Sequence, residues 1–290
     1  MKHAQRSILP LLILAIAAPL RAADRQLIGS LFEKAYKGKN MVLRTFNSGA
    51  TVRYSPDGRL IKGGQPGPWT LDADIRCTGV EFKRKDLVIK GKRLYFLYDK
   101  KLQALRPYLG PDINVEIAIG HDSPSLSALQ QAIAEVFVTG TENPVLLMPD
   151  YWKDYLLHPT RQATGPPGQM SAVPSASTQK PGSSVTSIHE AKPAADAGEK
   201  QDVTPPRPIY KPEPAYTHEA RIAHVEGIVL LSIEIDATGR VTKESIITPL
   251  GVGLDDNAAQ TIQTWRFKPS IVDAKPVPVH TDVEVYFQLR

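Results

Sequence analysis

The chain has 290 residues, 42% of them hydrophobic, with 35 Lys and Arg against 30 Asp and Glu for a formal net charge of +5. That length suits two modest domains with packed cores, and a mild, dispersed basic excess fits a soluble exported protein with a basic face better than a nucleic-acid binder. The single cysteine, Cys77, excludes an internal disulfide and, by itself, a zinc site; it reads as a semi-buried packing residue.

The first elements are a targeting segment and a helix. Lys2 and Arg6 supply positive charge ahead of an apolar run over 8–20, and Ala22 and Ala23 offer small residues for cleavage. Residues 1–22 are therefore predicted to be a secretory signal peptide. The run is shorter than the ~20 apolar residues a membrane-spanning helix needs, and no cysteine lies beside the cleavage site to carry a lipid. Residues 24–39 follow as a short helix, with Leu27, Leu31 and Ala35 at helical spacing.

Short strands come next. Residues 41–47 form one. Residues 51–54 and 59–61 form a hairpin around Ser55-Pro-Asp-Gly58, a turn-forming sequence. Residues 80–83, 86–90 and 93–98 continue as short alternating strands, and Ile113, Val115, Ile117 and Ile119 share one strand face. Ser123 or Ser125 can cap a helix over 126–138 whose apolar stripe is Leu126, Leu129, Ile133 and Val136. Residues 145–148 and 151–157 close a β-rich α+β domain spanning 24–158.

At Pro159 the composition changes to Pro, Ser, Ala, Gly, Thr and Lys. Residues 159–204 carry too few large apolar side chains to offset the entropy of ordering and are predicted to be a disordered linker. Such a coil averages about 35–40 Å end to end and reaches ~140 Å if drawn into polyproline-like extension.

The last module spans 205–290. A short strand is predicted at 207–211 and a short helix at 215–223. Val229, Leu231, Ile233 and Ile235 face one way along a strand that ends in the turn Asp236-Ala-Thr-Gly239, where Gly239 can adopt positive φ. A return strand covers 240–248, with Val241 and Ile247 on one face. Leu254, Ala258, Ile262 and Trp265 form a helical stripe. Asp255 and Asp256 occupy that helix's first turn, where negative charge is favoured, and Pro269 helps to stop it. Finally Thr281, Val283, Val285, Phe287 and Leu289 alternate with Asp282, Glu284, Tyr286 and Gln288, the pattern of a half-buried strand.

No catalytic arrangement emerges. There is no nucleotide-binding glycine loop, no His-Glu-x-x-His and no Gly-x-Ser-x-Gly. The histidines are scattered, and His218 and His224 do not share a helix face at metal-ligand spacing. No catalytic residue, cofactor or metal is predicted. Asp72 and Asp74 read as a solvated turn or strand rather than an acid–base pair. Lys83-Arg-Lys85, Lys90 and Lys92-Arg93 read as a solvated basic hairpin. Trp69 reads as a core residue beside a turn, and Trp265 with Phe267 as a clamp of helix to sheet.

Several pieces then fall in a shared order and spacing: Pro212-Glu-Pro-Ala-Tyr216, Ala220-Arg221, Glu226-Gly227 opening the first long strand, Gly239-Arg-Val241, Leu254-Asp255 before Ala258-Ala259, Trp265-Arg-Phe267 with Pro269, and Lys275-Pro-Val-Pro-Val279 leading into the last strand. Over 205–290 the chain thereby resembles the TonB C-terminal domain of TonB-family energy transducers. The resemblance implies a small antiparallel sheet packed on two helices, with Gly227, Gly239, Trp265, Phe267 and Pro269 as its structural motif. It also implies docking to TonB-dependent outer-membrane receptors or another envelope protein. In that family a receptor segment adds as an extra strand beside the last strand of the module, here the partner-binding edge Thr281, Val283, Val285, Phe287 and Leu289. Nucleic acid is not among the implied partners.

The chain departs from the family pattern in three places. It opens on a predicted signal peptide, so an inner-membrane motor complex is a partner only if that segment is an uncleaved anchor. Tyr216-Thr217 stands where the family has Tyr-Pro, and the linker is less proline-dense. The leading expectation is a non-enzymatic exported protein that binds partner strands in the periplasm and supports transport. The alternative is a periplasmic scaffold or adaptor whose first domain binds peptidoglycan, lipid or protein. A third class, a hydrolase in 24–158, requires a pocket of convergent polar groups.

Overall fold

The structure, a computed structural model, describes residues 22–83, 85–120, 125–157, 192–193 and 204–289. All but the last residue of the predicted signal peptide, most of the predicted linker and the alternative cap Ser123 lie outside the described residues. The chain is α+β and divides into two compact units, one of residues 1–97 and 106–147, the other of 98–105 and 148–290.

The first unit holds α1 (Ala22–Tyr36), β1 (Asn40–Val42), β2 (Thr51–Tyr54), β3 (Leu60–Lys62), α2 (Trp69–Asp72), β4 (Asp74–Lys83), most of β5 (Asp86–Asp99) and β6 (Ala104–Ala118), and α3 (Leu126–Val136). Its six-stranded sheet runs β1-β4-β5-β6-β2-β3, with β2 parallel to β6. β5 is continuous where the sequence suggested two short strands. Gly91 makes that possible, because Arg76 O lies 2.8 Å from where a Cβ would sit. Ser125 is the cap of α3, its Oγ accepting from Ala128 N at 3.2 Å.

Three expectations for this unit need correction. The buried face of α1 is Ile28, Phe32 and Tyr36, while Leu27 and Leu31 are exposed; the aromatic face buries more area than the leucine face one position away. Asp72 and Asp74 are buried rather than solvated. Arg93, assigned to a solvated basic face, is 3% exposed and binds Asp72 Oδ1 at 3.0 Å, donating also to Asn47 O and Gly49 O at 2.6 and 3.0 Å. A desolvated guanidinium needs that many acceptors. Three other basic side chains of the hairpin meet acids at the surface: Lys83 and Lys90 pair with Glu81, and Lys92 with Asp112. Trp69 and Cys77 are each 1% exposed, and burial pushes the Cys77 thiol up to about 11, which keeps it protonated and unreactive at neutral pH.

The second unit holds α4 (Asp150–Leu157), β7 (Lys192–Pro193), β8 (Arg207–Tyr210), α5 (His218–Ile222), β9 (Gly227–Ile235), β10 (Val241–Thr248), α6 (Leu254–Gln263), β11 (Arg266–Lys268), β12 (Ser270–Val272), β13 (Lys275–Val277) and β14 (Val279–Phe287). Its main sheet runs β10-β9-β14-β7; β8 pairs with β11, and β12 with β13. Val229, Leu231, Ile233, Ile235, Val279 and Val283 are each 0–1% exposed and form one apolar face, and α6 packs on β9 and β10. The helix α4, which the sequence groups with the first region, packs on β10.

The β9–β10 turn shows why Gly239 is a glycine. Asp236 Oδ1 accepts from Thr238 N, Thr238 Oγ1 and Arg240 N at 2.8, 2.7 and 3.0 Å. Gly239 takes φ 83°, and a Cβ there would run into Phe267 O, whose own N–H donates to Gly239 O at 2.8 Å. Gly239→Ala is expected to lower stability by at least ~2 kcal/mol through positive φ and lost backbone contact; urea unfolding measures it, and a change below ~0.5 kcal/mol would contradict this account. Pro269 does not stop α6, which has ended at Gln263, but separates β11 from β12. Trp265 lies just past the helix, 2% exposed, its Nε1 donating to Pro212 O at 3.1 Å and its ring 6.1 Å from Phe267.

Candidate functional site

The last strand is the longest uninterrupted pairing in the second unit. β14 pairs with β9 from Val279↔Ile235 to Phe287↔Gly227 with no register shift. Thr281, Val283, Val285 and Phe287 are each at most 3% exposed and face the core. Asp282, Glu284 and Tyr286 are half-buried on the other face, with Tyr286 OH donating to Glu284 Oε2 at 2.6 Å. Leu289 was expected within the edge but lies beyond it: the strand stops at Phe287, and Leu289 N donates to Glu226 Oε1 at 2.6 Å. Of the five residues singled out from sequence, four are strand residues whose side chains are committed inward. What such a strand can offer is its main chain.

The side of β14 away from β9 carries only β7 among the described strands, and β7 touches only its start, through Val279↔Pro193 and His280↔Lys192. Antiparallel pairs alternate between those that exchange both main-chain bonds and those that exchange none. Pro193 has no N–H, so the exchanging pair is His280↔Lys192. Carried along the unshifted strand, this alternation directs the main-chain groups of residues 282, 284 and 286 away from β9, and those of 281, 283, 285 and 287 toward it. The opposite border of the sheet differs. β10 is bulged between Val241 and Lys243 and between Ile246 and Thr248, α4 packs on it, and Ser245 Oγ donates to Asp154 Oδ2 at 2.9 Å. Bulges and cover are the usual protections of a sheet edge.

The far end of β14 is held by α5 and its approach. Tyr216 meets Phe287 edge-on at 5.4 Å, Arg221 stacks 5.3 Å over the Tyr216 ring, and Tyr216 OH donates to Val225 O at 2.9 Å. Thr217, the departure from Tyr-Pro, is the cap of α5: its Oγ1 accepts from Ala220 N at 3.2 Å and donates to Val252 O at 2.7 Å. A hydroxyl here satisfies a helix-start amide, whereas a proline would leave it to water.

Sequence reasoning missed the acidic pair. Asp255 is 0% exposed, its two oxygens accepting from Leu250 N and Gly251 N at 2.6 and 2.7 Å. Asp256 is 4% exposed, and one oxygen, Oδ1, takes both Tyr151 OH at 3.0 Å and Trp152 Nε1 at 3.3 Å from α4. Burial pushes Asp255 up to about 8 against its two amide donors, and Asp256 up to about 6 against the tyrosine and indole donors. Both folded values lie above the unfolded one, ~3.9. The folded unit thus holds protons that the unfolded chain has lost, and stability falls as pH rises: from ~4 to 6 through Asp256 and from ~4 to 8 through Asp255. Asp256→Asn keeps an oxygen for both donors, and Asp256 Oδ2 is a buried atom that makes no hydrogen bond. Its stability relative to wild type is therefore expected to rise between pH 4 and 6 and then level off; urea unfolding across that range measures it, and parallel profiles would refute it.

Among the described residues, no group of three or more His, Cys, Asp or Glu is placed to hold a metal ion, and no helix is long and apolar enough to cross a membrane. An open depression beside α1 is lined by Ser30, Glu33, Lys34 and Lys37. Its charges form an exposed ion pair, Lys37 to Glu33 at 2.6 Å, which brings no nucleophile to a base.

The second unit is thus a small α+β module with one covered sheet border and one straight one. Residues 212–289 match the family described as Gram-negative bacterial TonB protein C-terminal. Over 79 residues the chain is 33% identical to Protein TonB of Vibrio cholerae serotype O1, covering 27% of this chain and 32% of that protein, so it spans about a third of that relative's length. The solution NMR structure of Pseudomonas aeruginosa TonB CTD aligns at 23% identity over 29% of this chain and 87% of that one, with a TM-score of 0.25. The C-terminal segment, residues 212–289, is a TonB C-terminal domain. Proteins of this family are envelope-associated and serve energy-coupled transport.

Proposed function

We propose that this protein is exported to the periplasm and binds a segment of a TonB-dependent outer-membrane receptor by strand addition along β14, supporting transport across the outer membrane without catalysing a reaction. The observation that carries the reading is the contrast between the two sheet borders: β10 is bulged twice and packed under α4, while β14 runs from Val279 to Phe287 in unbroken register. An extended peptide pairing there gains main-chain hydrogen bonds, and its alternate side chains gain neighbours on the two faces of β14. Lys2, Arg6, the apolar run over 8–20 and Ala22-Ala23 support export by a signal peptide.

The test is capture of receptor-plug peptides by the full chain, read with amide hydrogen exchange. Added protection over 281–287 is the expected result; capture that protects only β10 or the first unit would count against this edge. Mass spectrometry of the mature N-terminus tests export, and an intact Met1 in the inner-membrane fraction would restore a motor complex as partner. A second reading, an envelope adaptor whose first domain binds peptidoglycan, lipid or protein, is favoured by one observation. It is that α4, which follows the first domain in the chain, packs on β10 of the C-terminal module, so the two parts of the chain are joined by a docked helix as an adaptor requires.

A further inference from the structure

The head of the β14 edge is occupied by the chain itself. Lys192–Pro193 lies antiparallel on it, setting Lys192 against His280 and Pro193 against Val279. That is the side of β14 on which a partner strand would add. We infer that β7 is a built-in competitor, a role that rests on the strand-addition reading: it holds the start of the edge and has to leave before a partner strand can pair along the whole of β14.

Two features suit it to that role. The first is proximity. Residues 194–203 join Pro193 to Thr204, and Thr204 is fixed to the same unit through its N–H to Ile271 O at 3.1 Å. A tether that short presents β7 to the edge at an effective concentration on the order of millimolar, so a dilute partner meets an edge already contested. The second is weakness. Pro193 cannot donate, which limits the pairing to the bonds of Lys192 and leaves a contact of two residues. A partner that pairs along 281–287 as well gains more bonds than β7 gives up, so the competitor raises the threshold for binding without blocking it.

The full chain carrying both Lys192→Cys and His280→Cys tests this. Exchanging antiparallel pairs stand about 5.5 Å apart at Cα, inside the range of about 4.4–6.8 Å that a disulfide spans. Cys77, 1% exposed, stays out of the reaction. Mild oxidation is expected to close the bridge within one molecule and to weaken capture of a receptor-plug peptide by about tenfold or more, with recovery on reduction. Conversely, Lys192→Pro removes the remaining β7 donor and is expected to tighten capture about threefold, as for a contact closed two-thirds of the time. Failure of the bridge to form, equal capture in the oxidised and reduced states, or unchanged affinity in Lys192→Pro overturns the inference while leaving strand addition standing. If the bridge forms but the peptide binds neither state nor the proline variant, strand addition itself fails and the competitor role falls with it.

Discussion

Trp152→Ala is expected to release α4 from the second unit and to lower that unit's stability by about 3–5 kcal/mol. The side chain is 0% exposed, meets the Tyr155 ring edge-on at 5.8 Å and donates its indole N–H to Asp256 Oδ1. Truncation leaves a cavity the size of an indole and takes one of two donors from a buried carboxylate, and the two costs act in the same direction. Urea unfolding of the full chain, with tryptic cleavage at Lys153 as a local readout of α4, measures both. Trp152→Phe separates them, since it keeps most of the volume and loses only the donor. Its cost should be about 1–2 kcal/mol and should shrink when Asp256 is also changed to Ala, because the acceptor the two residues share is then already gone. A loss below ~1 kcal/mol for Trp152→Ala would mean that α4 merely rests on β10.

This docking also marks where the sequence stops being legible. The faces of β9 and β14 could be read because one side of each strand is buried, and period-two alternation survives in the composition: Val229, Leu231, Ile233 and Ile235 against Val279, Val283 and Val285. β10 was harder to read because its two bulges break the alternation, leaving Ile246, not Ile247, on the buried side. Asp255-Asp256 at a helix start looks the same whether it faces water or a wall. Only the loop Leu250–Gly251 and a helix about a hundred residues earlier in the chain decide that it is buried. Arg93 gave no signal for the same reason, since its acceptors Asn47, Gly49 and Asp72 converge only in the folded sheet. Lys192–Pro193 has the composition of a linker, and nothing local announces a strand. In each case the missing information was a long-range partner, and polar residues take their burial from partners rather than from their own propensity.

Asp282→Pro and Val283→Pro, one residue apart, are expected to give opposite results. Val283 is 0% exposed, sits opposite Leu231 and turns its N–H toward β9. Proline there deletes a bond of the central ladder and drives its ring between two strands, at a cost of ~3 kcal/mol or more by analogy with other interior prolines. The four-stranded sheet should lose cooperative unfolding, and peptide capture should vanish with it. Asp282 sits opposite Ser232 but turns its N–H away from β9. Proline on the outward side of an edge strand is tolerated, so the module should stay folded and unfold within about 1 kcal/mol of wild type. Capture of a receptor-plug peptide should still fall by about tenfold or more, since the incoming strand loses one donor and meets the pyrrolidine ring where its backbone would lie. A folded Asp282→Pro protein that captures peptide as wild type does would remove β14 as the docking edge. A melted Asp282→Pro beside an intact Val283→Pro would reverse the alternation inferred from Pro193. The alternating side chains of β14 show which residues face the core, but the same pattern is compatible with either set of amides pointing outward, and only the missing N–H of one proline on the neighbouring strand resolves which it is.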